Sequence, residues 1–404
     1  MKLLKLDKIK KTVNGEIQIT GSKSESNRLL ILQQFYPNLN IDNLSNSDDS
    51  VVMQKALASV ENEISIGHAG TAMRFLTAFF AVKNKFEVVL TGSHRMKNRP
   101  IEILVDALRE LGAKIEYVEK DGFPPLKITG TKLIKNKIEI NGSVSSQYIS
   151  ALLLIASSLE NGLQLSFKGE ITSIPYIKMT LGILTDLGIE YTWIENTINI
   201  QPKKQIEPKK IVVESDWSSA SYYFSYVALS PNAEIKISSY KQQSLQGDSC
   251  LVEIYKNLGV ETSFKTNSIV LKNTGEINPD YFKELNLKNA PDIAQTIVVT
   301  CFGLGIECFL SGLHTLKIKE TDRLVALKTE LEKLGGKVII TNKTLHLKSS
   351  KNIKENISIA TYKDHRMAMA FAPLALKVPI NIEDANVVSK SYPTFWDDFK
   401  KITS

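Results

Sequence analysis

Histidine, cysteine and tryptophan are scarce in this 404-residue chain, at five, three and three residues. The five histidines are scattered and form no cluster at metal-ligand spacing. Cys250, Cys301 and Cys308 make neither a Cys-x-x-Cys pair nor an even disulfide framework, so they read as buried thiols of a reducing compartment. No run of about 18 apolar residues occurs, which leaves no candidate membrane span. Residues 1–7 lack the apolar stretch of a secretion signal. Together these absences predict a cytoplasmic protein. A Gly-x-Ser-x-Gly nucleophile elbow, a Walker loop and a Gly-x-Gly-x-x-Gly after a strand are also missing, and Gly303-Leu-Gly305 is too short to count.

Charge of one sign is only mildly in excess: 50 Lys and Arg against 43 Asp and Glu, a net of +7. Basic runs such as Pro202–Lys210 are interrupted, so they read as solvated surface or linker and not as a nucleic-acid face. A mild positive field does suit steering of small polyanions. With 43% hydrophobic and 23% charged residues, the composition is that of a soluble globular protein. The length suits two to three domains of roughly 150 residues each.

What is present is a repeat. An amphipathic helix ending in Leu-Gly, followed by an alternating strand, a turn and a second strand, recurs at Gly112, Gly188, Gly259 and Gly335, at intervals of 71 to 76 residues. Each glycine stands where a helix C-terminus favours a left-handed residue. A second pattern interleaves with it: a polar loop, then a strongly apolar helix. Its loops are Ser22–Arg28, His68–Arg74, Ser145–Tyr148, Asp216–Ala220, Ala290–Gln295 and Lys363–Arg366. Helices apolar on nearly every side belong inside a domain. The pattern predicts about six βαβαββ-like units of about 70 residues, split into two domains of three. The sheets should be mixed: parallel across the helical crossovers, antiparallel at the hairpins Glu195-Asn196, Thr266-Asn267 and Asn342-Lys343. Gln201–Lys210 is the best linker candidate.

The polar loops collect the unusual side chains. Gly21-Ser-Lys-Ser-Glu-Ser-Asn-Arg28 opens an apolar helix with hydroxyls, the mobile charge of Lys23 and the rigid fork of Arg28, an arrangement suited to an anion. A plain helix cap explains that loop equally well, as it does Gly67–Arg74, and taken alone it is the better explanation of Ser143–Tyr148 and Ala290–Gln295. Ser93–Pro100 carries several cations ahead of a helix. In Lys317–Arg323, Thr321 can cap the next helix, but the outer charges are left unexplained. Tyr362–Arg366 puts a cation at the start of a wholly apolar helix, where an unpartnered charge is costly. Lys390 follows an alternating strand. Six such loops, aimed at one interdomain cleft, would make a large anion site. Cations outnumber carboxylates in these loops, so the implied ligand carries several negative charges, most simply phosphate plus carboxylate. Asp292 and Glu320 are the carboxylates available for proton transfer, and neither a metal nor another cofactor is called for.

Taken jointly, Gly21–Arg28, Ala69–Arg74, Arg95–Pro100, Gly142–Gln147, Pro291-Asp292, Lys319-Glu-Thr-Asp-Arg323, Asp364–Met369 and Lys390 give a chain that resembles the EPSP synthase (3-phosphoshikimate 1-carboxyvinyltransferase) family over nearly its whole length. The resemblance implies a two-domain enolpyruvyl transferase-like α/β fold, each domain of three βαβαββ units with mixed sheets around buried helices. Residues 22–213 would form one domain and residues 1–21 with 214–404 the other, with the active site in the cleft. It implies transfer of the carboxyvinyl group of phosphoenolpyruvate to the 5-hydroxyl of shikimate 3-phosphate, releasing phosphate, by a monomer that uses no cofactor and binds neither nucleic acid nor membrane. Carried over motif by motif, Lys23, Ser24, Arg28, Ser145, Ser146, Gln147, Ser173, Tyr176, Asp292 and Lys319 would hold shikimate 3-phosphate. Lys23, Gly70, Arg95, Gln147, Arg323, Arg366 and Lys390 would hold phosphoenolpyruvate. Glu320 would protonate its methylene, and Asp292, with Lys23 beside it, would take the hydroxyl proton.

Three positions depart from the family pattern: His68 and Thr315 where asparagine is usual, and Phe75 where proline is frequent. Gly70 is kept, which implies inhibition by glyphosate, with Phe75 as a possible weakening influence. The sister enzyme UDP-N-acetylglucosamine enolpyruvyl transferase fits less well. It would carry Lys-Asn in the first loop and a reactive cysteine in the first domain, whereas Ser24 follows Lys23 and no cysteine precedes Cys250. A basic nucleic-acid binder would need a contiguous basic face, and a catalytically dead scaffold is disfavoured by the retained Lys23, Asp292, Glu320 and Arg366.

Overall fold

A computed structural model describes residues 3–9, 14–171 and 174–403. The chain divides into two compact units: the described residues of Met1–Thr20 together with those of Glu214–Ser404, and the continuous stretch Gly21–Val213. The continuous unit is therefore an insertion into the other.

Within Gly21–Val213 two four-stranded sheets repeat one plan. Glu63–Ser65 runs parallel to Glu87–Thr91, and Leu126–Thr129 runs antiparallel to both Glu87–Thr91 and Lys114–Tyr117. Lys137–Asn141, Leu163–Lys168, Tyr191–Ile194 and Thr197–Ile200 pair in the same way. A reduced third sheet keeps only the parallel pair Leu39–Asp42 and Lys209–Val212. The strands form because apolar residues alternate: Lys137, Glu139 and Asn141 are exposed while Ile138 and Ile140 are buried. Four helices carry the polar loops of this unit: α1 (Lys23–Phe35), α2 (Gly70–Val82), α3 (Ser146–Ala156) and α4 (Ile174–Asp186). Every residue of α3 from Tyr148 to Ala156 is buried, as its all-round apolar pattern demands. The amphipathic helix Glu102–Leu111 instead buries one face and stops at Gly112, whose φ of 110° continues no helix.

The other unit repeats the plan with strands drawn from both ends of the chain. Gly15–Ile17 lies parallel to Glu234–Ser238, which pairs with the long hairpin Leu258–Lys265 and Ser268–Ile277. Leu285–Asn286, Cys308–Ser311, Lys337–Ile340 and Leu345–Lys348 make the second sheet. Leu4–Leu6 runs antiparallel to Ile380–Ile382, itself parallel to Ile357–Ile359, in a three-stranded third. The inner helices are α5 (Trp217–Leu229), buried along its whole length, α6 (Ala294–Leu304), α7 (Arg323–Lys333) and α8 (His365–Phe371). The mixed sheets around buried helices are those expected, four of the six carrying the full strand order.

Local expectations met mixed outcomes. Glu195-Asn196 and Thr266-Asn267 are two-residue hairpin turns, whereas the turn at Asn342-Lys343 spans residues 341–344. Gly259 does not end a helix. The helix before it stops at Lys256, and Leu258 and Gly259 enter a strand where the register shifts. Gln201–Lys210 is not the passage between the units: Lys203 donates its N–H to Ser157, Ile206 is buried, and Lys209 already pairs with Leu39. Asp322, not Thr321, caps α7, because its carboxylate accepts the N–H groups of Leu324 and Val325. Cys301 and Cys308 are buried, but Cys250 is exposed.

Candidate active site

In the Gly21–Val213 unit the N-terminal turns of four helices are tied together. Gly21 has no room for a side chain, since a Cβ there would lie 2.0 Å from the Asn43 carbonyl oxygen and 2.6 Å from Val213. The chain therefore turns tightly into Ser22 and α1. Arg28, 3% exposed, is held by neutral oxygens. Its Nε donates to Thr180 Oγ1 at 2.8 Å, and its Nη atoms donate to Ser150 Oγ at 2.9 Å and to the carbonyls of Ser24 and Tyr176 at 2.6 and 3.3 Å. Burial pulls its pKa down to about 10, so it remains a cation at neutral pH. Phe75, the departure from proline, lies with its ring 5.4 Å from the Arg28 guanidinium carbon, a cation–π contact.

Lys23 places its ammonium 3.5 Å from buried Asp49. Beneath it Ser26, Asn27, Ser45, Ser47 and Ser50 form a buried hydroxyl and amide bed. Gly70 is the first residue of α2, and a Cβ there would meet the Arg99 guanidinium at 2.4 Å. Ser145 caps α3 by accepting the Gln147 N–H, and the Gln147 amide donates to Thr71 Oγ1 at 3.3 Å, joining the starts of α3 and α2. Tyr176 enters through its carbonyl, Ser146 is half-buried, and Arg95 is exposed on the short helix His94–Lys97. Ser173 lies outside the described residues. The departure His68 is exposed.

In the other unit the charges meet around Arg323, the first residue of α7 and 1% exposed. Its Nε donates to Asp364 at 2.7 Å, one Nη to Asp292 at 2.9 Å and the other to Glu320 at 2.8 Å. Lys319 approaches Asp292 at 3.4 Å, Arg366 reaches the other Asp292 oxygen at 3.2 Å, and Lys390 bonds Glu320. Arg366 also donates to Ser218 Oγ at 3.3 Å, and Ser218 in turn donates to Asp248. Asp364 caps α8 by accepting the Arg366 N–H at 2.9 Å, so one carboxylate fixes both arginines. Arg366 Nε is buried with no hydrogen-bond partner among the described residues. A buried donor left unmade costs about 1–3 kcal/mol.

The carboxylates respond to these cations. Burial pushes the Asp292 carboxyl up, but Arg366, Lys319 and Arg323 outweigh it and hold it well below the carboxylate range. Burial acts the same way on Glu320, and Arg323 and Lys390 again prevail. Burial works against charge on Arg366, yet Asp292, Tyr222 and Asp248 hold it firmly protonated. Asp248 goes the other way: burial and the nearby Asp292 push it up to about 6, against the pull of Arg366.

Asp292, Lys319, Glu320, Arg323, Arg366 and Lys390, singled out from separate motifs, thus form one cluster. Sequence reasoning passed over Asp364, Asp248, Ser218 and Asp49. Asp364 stood inside a quoted motif and immediately before a wholly apolar helix, the usual signal of a cap. Ser218 stood inside the polar loop Asp216–Ala220, whereas Asp248 and Asp49 carry no local signal. Thr315 leaves its Oγ1 buried without a partner among the described residues. Among the described residues no group of His, Cys, Asp and Glu has a metal-holding arrangement, and no helix is long and apolar enough to cross a membrane.

Comparison with known proteins settles the lineage. Residues 37–399 match the family described as EPSP synthase (3-phosphoshikimate 1-carboxyvinyltransferase). The chain belongs to the EPSP synthase family. A 3-phosphoshikimate 1-carboxyvinyltransferase of Bacteroides fragilis is 46% identical over 398 residues, covering 96% of this chain and 95% of the relative. One from Haemophilus influenzae is 35% identical over 430 residues, covering 96% of each. In fold the chain is similar to the EPSP synthase of Acinetobacter baumannii (TM-score 0.80, 20% identity, 100% and 98% covered). It is also similar to the enolpyruvyl transferase NikO of Streptomyces tendae (TM-score 0.73, 14% identity, 99% and 97% covered). The two curated relatives each cover 96% of this chain.

Proposed function

We propose that this protein transfers the enolpyruvyl group of phosphoenolpyruvate to the 5-hydroxyl of shikimate 3-phosphate, releasing phosphate, as a cytoplasmic monomer of the shikimate pathway. The observation that carries the proposal is the Arg323, Arg366 and Lys390 cluster, with its unpaired Arg366 Nε, set against Asp292 and Glu320. Phosphoenolpyruvate brings a carboxylate and a phosphate, the two groups a rigid guanidinium fork binds best. Lys23, Gly70, Arg95 and Gln147 complete its binding set. Shikimate 3-phosphate is taken by Lys23, Ser24, Ser145, Ser146, Gln147, Ser173 and Tyr176, with Arg28 adding charge from beneath, and its hydroxyls by Asp292 and Lys319.

The ion pairs suggest how the chemistry is timed. With Arg323 and Lys390 beside it, Glu320 stays ionised and has no proton to give. An arriving trianion draws those cations to itself. Glu320 loses its stabilising partners, its pKa rises, and it takes up the proton it then donates to the methylene carbon. The middle carbon becomes electrophilic, and the 5-hydroxyl adds to it while Asp292 accepts the hydroxyl proton. A tetrahedral intermediate forms. Loss of a methyl proton and of phosphate restores the double bond. The same cations, drawn onto the substrate, stabilise the departing phosphate.

The test is phosphate release from phosphoenolpyruvate with shikimate 3-phosphate, with UDP-N-acetylglucosamine, or with no acceptor. Release that requires shikimate 3-phosphate is expected. Release only with the UDP-sugar would move the protein to the sister activity, and none with either would sink the proposal. Glu320→Gln and Asp292→Asn are each expected to lower kcat by roughly 10²–10⁴-fold.

A further inference from the structure

Glu330 is a buried carboxylate with no place in the chemistry above. It lies on α7 seven residues after Arg323, two turns on and therefore on the same face. Its side chain is 0% exposed. It accepts the Tyr362 hydroxyl at 2.6 Å, the Ala360 N–H at 3.1 Å and the Lys333 ammonium at 2.8 Å. Two of these three donors belong to the segment that leads into Asp364 and Arg366.

That segment is strained. Tyr362 and Lys363, neither of them glycine, both take left-handed backbone angles, with φ of 55° and 57°. Side-chain-bearing residues seldom adopt this conformation, and two in a row persist only where the surroundings impose it. The pair reverses the chain so that Asp364, whose N–H donates to the Thr361 carbonyl at 2.8 Å, reaches Arg323 and caps α8. The segment is thus fixed to α7 at two points: by Glu330 before the turn and by Arg323 after it. Burial and Glu330 raise the Tyr362 hydroxyl to about 12, so it remains a donor throughout the working pH range.

We infer that Glu330 is a positioning residue, which through Tyr362 and Ala360 imposes the left-handed turn that sets Asp364, Arg323 and Arg366 for their anion. The kinetic part of this inference rests on the activity proposed above. A carboxylate kept only for core stability would leave substrate affinity alone. A positioning residue would not, because arginines displaced by a fraction of an ångström bind a forked anion poorly.

The test uses the full chain. Glu330→Gln removes one acceptor and is expected to raise KM for phosphoenolpyruvate roughly tenfold, with a smaller change in kcat and in KM for shikimate 3-phosphate. Tyr362→Phe deletes a single hydroxyl on a partly exposed side chain, leaves folding secure, and should shift KM the same way by a smaller factor. Asparagine is enriched in left-handed conformations. Lys363→Asn should therefore be silent in the wild type and recover several-fold of the lost affinity in the Glu330→Gln background, a rescue that core stability does not predict. Amide exchange at residues 361–366 should quicken in Glu330→Gln while the rest of the unit is unchanged. A folded Glu330→Gln protein with wild-type KM and wild-type exchange would overturn the inference, even if it melts earlier. If wild-type protein releases no phosphate with any acceptor, the functional proposal fails, and the exchange pattern alone decides whether Glu330 shapes the turn.

Discussion

Single residues here are constrained by what lies against them. Gly21→Ala would force a Cβ to within 2.0 Å of the Asn43 carbonyl oxygen, a backbone atom that cannot swing aside. The expected cost is about 1–3 kcal/mol, read as a lower melting temperature, and an unchanged melt would contradict the tight turn. Asp248 gives a pH signature. Its pKa rises from 3.8 unfolded to about 6 folded, so the folded state binds the proton more tightly. The stability of that protonated form is complete below about pH 4 and is lost as pH climbs through 6. Asp248→Asn should therefore stabilise the fold at pH 8 by on the order of 3 kcal/mol, read as a higher melting temperature, and have little effect at pH 4. Equal effects at both pH values would refute the raised pKa. Such residues were partly legible. Arg366 was visible in the sequence because it stands at the start of a wholly apolar helix, where an unpartnered charge is costly; the other cations had a bland reading as caps or surface and were singled out by the family resemblance. Asp248, Asp49 and Glu330 were not visible, because their partners come from distant elements: Glu330 alone reads as one more charge in a helix rich in Lys and Glu.

At the level of elements, the caps do more than end helices. Asp364 starts α8 and clamps Arg323 on α7, so Asp364→Ala should disturb two helices at once. Loss of the cap costs about 1 kcal/mol, and loss of a buried partner of Arg323 costs several more by the usual measure of a broken buried ion pair. Calorimetry should show a destabilisation of roughly 3–5 kcal/mol, and phosphoenolpyruvate affinity should fall with it. A change no larger than a cap's worth would mean that Asp292 and Glu320 suffice for Arg323. The helix pattern was readable from the sequence, since buried helices apolar on all sides have few other homes. Where an element ends was less so. Thr321 and Asp322 are both good caps, and backbone geometry, not residue type, chose the aspartate. Gly259 shared the Leu-Gly signature of Gly112, yet Leu258 had already joined a strand whose apolar alternation outbid one more helical turn.

On the scale of the whole molecule, the repeat was visible in the spacing, while its interruption was implied only by the family resemblance, which put residues 22–213 in one domain and 1–21 with 214–404 in the other. Internal spacing predicted six units, but nothing local marks residues 20–21 or 213–214 as the points where one unit is spliced into the other. The Gly21–Val213 unit has its own apolar core, three sheets, and its two ends side by side, with Val213 against Gly21 and its carbonyl accepting the Asn43 amide at 2.9 Å. A fragment of residues 21–213 is expected to melt as one cooperative transition, and a fragment with no such transition would show that its core is insufficient.

The strand Leu4–Leu6 has as its partner Ile380–Ile382, and Gly15–Ile17 waits for Glu234–Ser238. On the ribosome the inserted unit can close while these early strands still lack the neighbours that satisfy their backbones. Leu4–Leu6 is made long before Ile380–Ile382, and Gly15–Ile17 before Glu234–Ser238, so these strands should stay open to nascent-chain aggregation and chaperone capture until their partners emerge.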